Sequence, residues 1–204
     1  MTTPQTATAS ERAATTRLAA VVRTGWRAAL HPQRFYQRNV VGLCPGQVLD
    51  LGCGVGRHLA NLGPTSVGID TNAASVAFAR ERGLRAFTPD EFAASGHAET
   101  ATFDVLLCSH VLEHLTFDGA VELVTRYLPY VRRGGRVVAI CPQQRGQRAD
   151  PTHVTSMPAE RLAEVLGRAG AAVDQVRSFP LPALAGRWFT HNETIVVAHA
   201  PGRP

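Results

Sequence analysis

The stretch Val48 to Gly56 reads VLDLGCGVG, an apolar strand joined to a glycine loop through an acidic residue, Asp50. Glycines at 52, 54 and 56 let the backbone turn sharply and lie against a ligand. Arg57-His58-Leu59 follow, and the spacing predicts a helix there whose amide dipoles point at the same place. A turn built to hold pyrophosphate avoids a carboxylate at its mouth and puts its third glycine one position later, where Arg57 stands. The loop is therefore expected to hold a flat cofactor that carries positive charge. Asp70 closes a second apolar strand, VGID, eighteen residues after Gly52. In a doubly wound fold an acid at that place accepts protons from both ribose hydroxyls. A cap for a helix opening near Asn72 is the alternative reading of Asp70.

From this segment outward, β and α patterns alternate. Strand 47–50, the glycine loop and its helix are followed by strand 66–70, helix 72–82 ending at Gly83, and strand 84–87. An irregular stretch comes next, then strand 103–109 and helix 111–132, with Pro129 kinking or ending that helix early. Gly134-Gly135 is expected to reverse the chain into strand 135–141. A polar loop spans 142–155, and Ser156 with Pro158 marks the start of a helix that runs to Gly170. Residues 173–179 and 193–200 read as two further strands. Alternation of this kind, with near-continuous apolar strands such as Val105-Leu106-Leu107 and Val137-Val138-Ala139-Ile140, implies a parallel sheet covered by helices on both faces. Upstream, residues 1–9 are expected to be disordered. Ser10 is placed as the cap of a helix running through Leu18, Val21, Val22 and Trp26 toward His31-Pro32. Trp26, Phe35 and Tyr36 are candidates for a cofactor lid, although aromatics at such spacing more often enter the core. The reading is residues 1–40 as a disordered tip plus helical lid segment, and residues 41–204 as one catalytic domain.

Two segments carry a family resemblance. VLDLGCGVG resembles motif I of the class I S-adenosylmethionine (SAM) methyltransferases, and FDVLLCSHVLEHL, Phe103 to Leu115, resembles their motif after strand 4. The form is that of the type 11/23-like, ubiquinone-biosynthesis O-methyltransferase-like group. DPTHV, Asp150 to Val154, and FTHNETIVVAHAP, from Phe189, are similar to later segments of the same group. The resemblance implies a Rossmann-like α/β fold, with a seven-stranded, mostly parallel sheet of order 3-2-1-4-5-7-6 whose last two strands run antiparallel. It implies SAM as cofactor, held by Asp50, Gly52, Cys53, Gly54 and Asp70. Ser109 and His110 border the methionine end, mainly through backbone atoms. An acid and an apolar residue after strand 3 contact adenine, for which Asp90, Glu91 and Phe92 are the candidates, with no choice among them.

For the acceptor side, His110 and His114 are expected on one helix face with Glu113 alongside. His114 and His153 are the candidate general bases, since an unperturbed imidazole titrates near 6.5. Three other readings stay open. In the first, Glu113, His114 and His153 only order the helix, line the pocket or fix a loop. HxxEH also matches a zinc-protease helix motif, which lacks a preceding glycine-loop fold. A divalent ion at His110, Glu113 and His114, with His153 as a further ligand, would suit zinc better than Mg²⁺; no metal ligand is assigned. Arg145 and Arg148 are candidates for an anionic acceptor. No Asn/Asp-Pro-Pro-aromatic tetrapeptide follows strand 4, which argues against methylation of exocyclic amines of adenine or glutamine. A small-molecule oxygen or nitrogen acceptor leads, with RNA, protein or a non-catalytic SAM-binding role as alternatives.

Composition sets the outer bounds. The chain has 204 residues, 45% apolar and 18% charged, enough for one domain with a core. All 21 basic residues are arginine, scattered along the chain, so the net charge of +5 reads as coding bias before nucleic-acid binding. Cys44, Cys53, Cys108 and Cys141 form no CxxC pair, which points to neither zinc knuckle nor disulfide framework. No apolar run reaches the length needed to span a bilayer. The expectation is a cytoplasmic enzyme, monomer or homodimer, with no membrane partner.

Overall fold

The computed structural model describes residues 33–202, together with Thr16. The expected tip at 1–9, the helix from Ser10 toward His31 and the Trp26 lid candidate lie outside the described residues. A seven-stranded sheet has the order β3-β2-β1-β4-β5-β7-β6, the topology implied by the resemblance. By its internal contacts the chain divides into two compact units, with the break between Ala98 and Glu99.

In the first unit, α1 (Gln33–Leu43) leads into β1 (Val48–Leu51). Phe35 on α1 is exposed and meets Tyr36 edge-on, so it is not the core residue its spacing allowed. β1 pairs in parallel with β2 (Val67–Ile69), Leu49 opposite Val67, and β2 pairs in parallel with the short β3 (Ala86–Phe87). Val48, Leu49, Leu51, Val67 and Ile69 are buried on these strands, the continuous apolar reading expected of a sheet covered on both faces. The helix expected from Arg57 is instead a turn. The Ala60 amide donates to the Gly56 carbonyl, and a 3₁₀ segment at Leu59–Asn61 ends the run, because Gly63-Pro64 cannot continue it. α2 (Ala73–Glu81) does form, its first turn capped by the Asn72 side chain, which accepts from the amides of Ala74 and Ser75. The stretch read as irregular contains α3 (Pro89–Ala93). Thr88 caps it with Pro89 in the first turn, and Glu91 completes a reciprocal capping box.

The second unit is built on β4 (Phe103–Ser109) and β5 (Val131–Pro142), parallel, with Leu107 opposite Val138. β7 (Glu193–His199) runs antiparallel to β5, and β6 (Ala172–Phe179) runs antiparallel to β7. The helix expected over 111–132 is broken into three. A 3₁₀ turn spans Leu112–His114, α4 occupies Phe117–Tyr127, and a second 3₁₀ turn at Leu128–Tyr130 contains Pro129. Thr116 is the reason for the first break, since its hydroxyl accepts from the Gly119 amide and starts a new helix. Gly134-Gly135 does not reverse the chain. Both residues lie inside β5, where the register against β4 shifts between Val131 and Arg136 as at a bulge. The expected polar loop after β5 contains α5 (Gln144–Ala149), after which α6 (Ala159–Arg168) buries Leu162, Val165 and Leu166 against β6, β7 and α4. The segment between β6 and β7 carries a 3₁₀ turn at Ala183–Arg187.

One glycine fixes how the loop after β1 meets β2. A Cβ at Gly68 would stand 2.6 Å from Cys53 Sγ and 2.8 Å from Cys53 Cβ, inside any real contact distance. Cys53 is itself buried among Val76, Ala79 and Ala86, so it has nowhere to retreat. Gly68→Ala is expected to destabilise the protein by about 1–3 kcal/mol through overpacking, read as a lower urea midpoint with unchanged slope.

Candidate functional site

The carboxyl ends of β1 and β2 hold the first group of candidates. The amides of Gly52 and Cys53 both donate to the Ile69 carbonyl, at 2.8 and 3.1 Å, which turns the chain back over β2 as soon as β1 ends. Gly54 has a φ of +52°, and its amide donates to Asp70 Oδ2 at 2.7 Å. Asp70 Oδ1 accepts from the Asn72 amide at 2.8 Å. The helix cap role left open for Asp70 thus falls to Asn72, while Asp70 braces the loop from below. Each of its oxygens accepts one backbone donor and retains a second lone pair for a ligand. Burial raises its pKa, and the two backbone donors work against that rise.

Asp50 is the more extreme group. It is 1% exposed, and no hydrogen bond reaches its Oδ2. Burial, and then the neighbouring charge of Asp70, push its carboxyl up to about 8. A buried carboxyl with an unanswered oxygen beside a second carboxylate is a poor structural element and a good receptor for a cation. This donor set fits a ligand carrying an ammonium and ribose hydroxyls. Cys53 is held in its protonated form by burial and by the charges of Asp50 and Asp70, so it packs against the loop and offers no thiolate.

The three candidates after β3 differ in their employment. Glu91 Oε2 accepts from the Thr88 amide at 2.8 Å, and its carboxylate pairs with both terminal nitrogens of Arg80. The hydrogen bond from Arg80 leads the causes that lower its pKa to about 2. Phe92 is 1% exposed in the core. Asp90, in the first turn of α3, has an exposed side chain.

The carboxyl ends of β4 and β5 hold the second group. Ser109 ends β4 buried, and the His110 amide donates to the Ile140 carbonyl of β5 at 2.9 Å. His110 has a φ of +54°, a left-handed conformation uncommon for a residue with a side chain. Two carboxylates hold it there. Nε2 lies 2.8 Å from Glu193 Oε1, and Nδ1 lies 3.3 Å from Glu113 Oε1, close enough for an ion pair but out of line for a hydrogen bond. Desolvation acts to lower the imidazole's pKa, yet its side chain is 42% exposed and the two carboxylates prevail, raising it to about 9. Desolvation likewise opposes the charged form of Glu113, and the His110 imidazolium outweighs it and lowers the pKa.

His110 and His114 were expected on one helix face, and they are not. The 3₁₀ turn and the left-handed His110 send the first ring toward β7 and the second toward the loop after α5. That loop docks on the turn, with the amides of Val154 and Thr155 both donating to the Glu113 carbonyl. It brings His153 to His114, ring centroids 4.9 Å apart, and places His153 Nε2 4.0 Å from Glu113 Oε1. The side chain of Glu113 is fully buried, with Cys141 Sγ donating to its Oε2 at 3.4 Å. Glu113, His114 and His153 converge with one ligand-type atom from each within 4.8 Å of the others. Arg145 is turned to Thr190 Oγ1.

Sequence reasoning assigned no chemistry to Glu193 or Cys141. The Asn-Glu pair opening β7 was a signal. Asn192 is fully buried, donating to Gln143 Oε1 at 2.8 Å and accepting from the Leu181 amide at 3.0 Å, which fixes where Glu193 begins the strand.

Comparison with known proteins agrees with this geometry. Residues 49–137 match the family model described as Methyltransferase domain. No curated protein matches the chain. Among solved structures, a chain from the Haloferax volcanii complex of the Trm112 methyltransferase activator with a methyltransferase is 15% identical, with a TM-score of 0.67 over 95% of this chain and 96% of that one. A SAM-dependent methyltransferase from Archaeoglobus fulgidus is 19% identical, TM-score 0.62, over 80% of this chain and 90% of that one. Magnesium protoporphyrin IX methyltransferase from Synechocystis PCC 6803, solved with bound SAH, is 16% identical, TM-score 0.58, over 82% of this chain and 83% of that one.

The Asp50 carboxyl has a testable thermodynamic signature. Its folded pKa is raised, so its contribution to stability is intact below its ordinary value of 3.8 and declines as pH climbs toward about 8. Asp50→Asn is expected to flatten the pH profile of stability and to exceed the parent at pH 8 by on the order of 2 kcal/mol, read by urea unfolding at a series of pH values. The same variant is expected to bind SAM more weakly.

A glycine loop braced on Asp70, a buried acid beside it, the sheet order and the match of residues 49–137 to the methyltransferase-domain family agree: the chain has the fold of the SAM-dependent methyltransferases.

Proposed function

We propose that the protein transfers a methyl group from SAM to an oxygen or nitrogen of a small-molecule acceptor. The observation that carries this reading is the pair of histidines assembled on Glu113, base-capable groups at the strand ends where ligands of open α/β sheets bind. SAM supplies a methyl group activated on a sulfonium. In this reading Asp50 receives the cationic end of the cofactor, and Asp70 takes the ribose hydroxyls on its remaining lone pairs. Gly52, Cys53 and Gly54 form the loop floor. Asp90 is favoured over Glu91 and Phe92 for adenine, because those two are engaged with Arg80 and with the core. Ser109 and His110 contribute backbone atoms at the methionine end, consistent with His110 having both ring nitrogens turned to carboxylates.

Alignment of donor and acceptor is the main source of rate, about 7–11 kcal/mol at best. For a hydroxyl acceptor a proton must also leave, and His114 and His153 are the groups placed to handle it, a contribution of about 10²–10⁴-fold. Residues 41–204 act as the catalytic part in this reading.

Two measurements test the proposal. Asp70→Ala is expected to abolish SAM binding in titration calorimetry; an unchanged affinity would reject the cofactor assignment of this site. Radiolabelled methyl transfer into cell extract, separated into small-molecule, RNA and protein fractions, is expected to label the small-molecule fraction. Label confined to RNA or protein would replace the acceptor class, and no label with intact SAM binding would favour a non-catalytic subunit. The likeness to a chain from an activator complex favours repeating the assay with a second subunit present.

A further inference from the structure

We infer that Glu113, His114 and His153 form a binding site for a divalent metal ion of the Zn²⁺ class, open to an acceptor oxygen. The partners of the two Nδ1 atoms fix which ring nitrogens carry protons. His153 Nδ1 lies 2.9 Å from the Gln147 carbonyl, which can only accept, so Nδ1 is the donor. His114 Nδ1 lies 3.2 Å from the Thr152 carbonyl and from Thr152 Oγ1. That hydroxyl already donates to Asp150 Oδ1, so it too accepts from the ring. Both histidines are therefore held in the form whose Nε2 presents a lone pair, by the same Nδ1-to-carbonyl contacts that orient histidine ligands in metal sites.

Among the described residues no hydrogen bond reaches either Nε2. Between them stands Glu113 Oε1, fully buried and also without a hydrogen bond, while Oε2 is engaged by Cys141. The Nε2 lone pairs of His114 and His153 thus converge with Glu113 Oε1, one ligand atom from each residue within 4.8 Å of the others, at a place where Glu113 is buried, His114 reaches solvent and the His110 ring lies 3.3 Å from Oε1. The 4.0 Å from His153 Nε2 to Oε1 is too long for a hydrogen bond. Two ligands on one tetrahedral Zn²⁺ stand about 3.3 Å apart, given bonds of about 2.0–2.1 Å, so separations of up to 4.8 Å must close by up to about 1.5 Å, a change that side-chain rotations of the three residues share.

The chemistry of the donors selects the ion. Two imidazoles and one carboxylate suit Zn²⁺ and its neighbours, whereas Mg²⁺ prefers oxygen and keeps its waters. Three protein ligands leave a position open, as in catalytic zinc sites. His110, with Nε2 turned to Glu193 and Nδ1 3.3 Å from Glu113 Oε1, stands outside the ligand set. Resting on the proposed transfer to an oxygen acceptor, the metal would bind that oxygen and favour its deprotonated form, the proton passing to solvent, while His114 and His153, their Nε2 lone pairs on the metal, would serve as ligands in place of the base role proposed for them.

Metal binding can be read without turnover. Protein stripped with chelator is dialysed against Zn²⁺, and in parallel titrated with Co²⁺ while visible absorption is recorded. The expected result is one Zn²⁺ per chain and the ligand-field bands of nitrogen- and oxygen-bound Co²⁺. His114→Ala and His153→Ala, shown to be folded by thermal unfolding, are expected to weaken Zn²⁺ by more than the roughly 10–100-fold that outer-shell changes cost. His199→Ala, on the surface pair with Asp174, is expected to bind as the parent does. Absence of Zn²⁺ and of Co²⁺ bands in the parent would overturn the site, as would binding that survives both ligand variants or is lost equally in His199→Ala. SAM calorimetry on the stripped protein separates the two claims: SAM binding without Zn²⁺ rejects the metal site alone, and Zn²⁺ binding without SAM rejects the methyltransferase reading alone.

Discussion

The hydrogen bond from the Gly54 amide to the Asp70 carboxylate is the interaction on which the glycine loop after β1 depends. It spans sixteen residues and ties the loop after β1 to the end of β2. With the Gly52 and Cys53 amides on the Ile69 carbonyl, it leaves the loop backbone no freedom to relax away from the strand ends. It also sets the charge problem of the site. Asp70 is kept beside Asp50 in a buried environment, and its charge adds to burial in raising the energy of the ionised form of Asp50. Such an arrangement costs stability, since an acid is kept out of water with one oxygen lacking a hydrogen bond.

The second unit solves a different problem by similar means. Glu113 is buried without a full set of donors, and the surrounding imidazoles differ in what they offer it. His110 is clamped between two carboxylates and answers the charge. His114 and His153 have their donor nitrogens tied to backbone carbonyls and present lone pairs. The loop bearing His153 is fastened to the turn by the Glu113 carbonyl, so the residue that supplies the carboxylate also supplies the anchor for its neighbour. Asp150 keeps the loop in shape through Thr152.

Local rules carried the reading of the fold a long way. The apolar runs on β1, β2, β4 and β5 and the helix stops at Gly83 and Gly170 were legible because each depends on near neighbours in sequence. Other local signals were present but outweighed by pattern. Thr88-Pro89-Asp90-Glu91 spells a helix start, and Thr116 spells another, yet the first stretch reads as irregular and the second as the middle of one long helix. The histidine spacing misled for that reason. A four-residue step puts two side chains on one face only if an α-helix connects them, and here a left-handed residue and a 3₁₀ turn intervene.

By itself the sequence determined the β and α alternation, the glycine loop with an acid at its mouth and the second acid eighteen residues on, since these follow from spacing and side-chain chemistry along a short length of chain. Tertiary structure alone decided which atoms remain without partners. That Asp70 braces Gly54, that Glu91 belongs to Arg80, that Glu193 answers His110 and that His153 faces Glu113 all join residues distant in sequence. Burial and hydrogen bonding across such distances set both protonation and direction, and no periodicity in the chain encodes them.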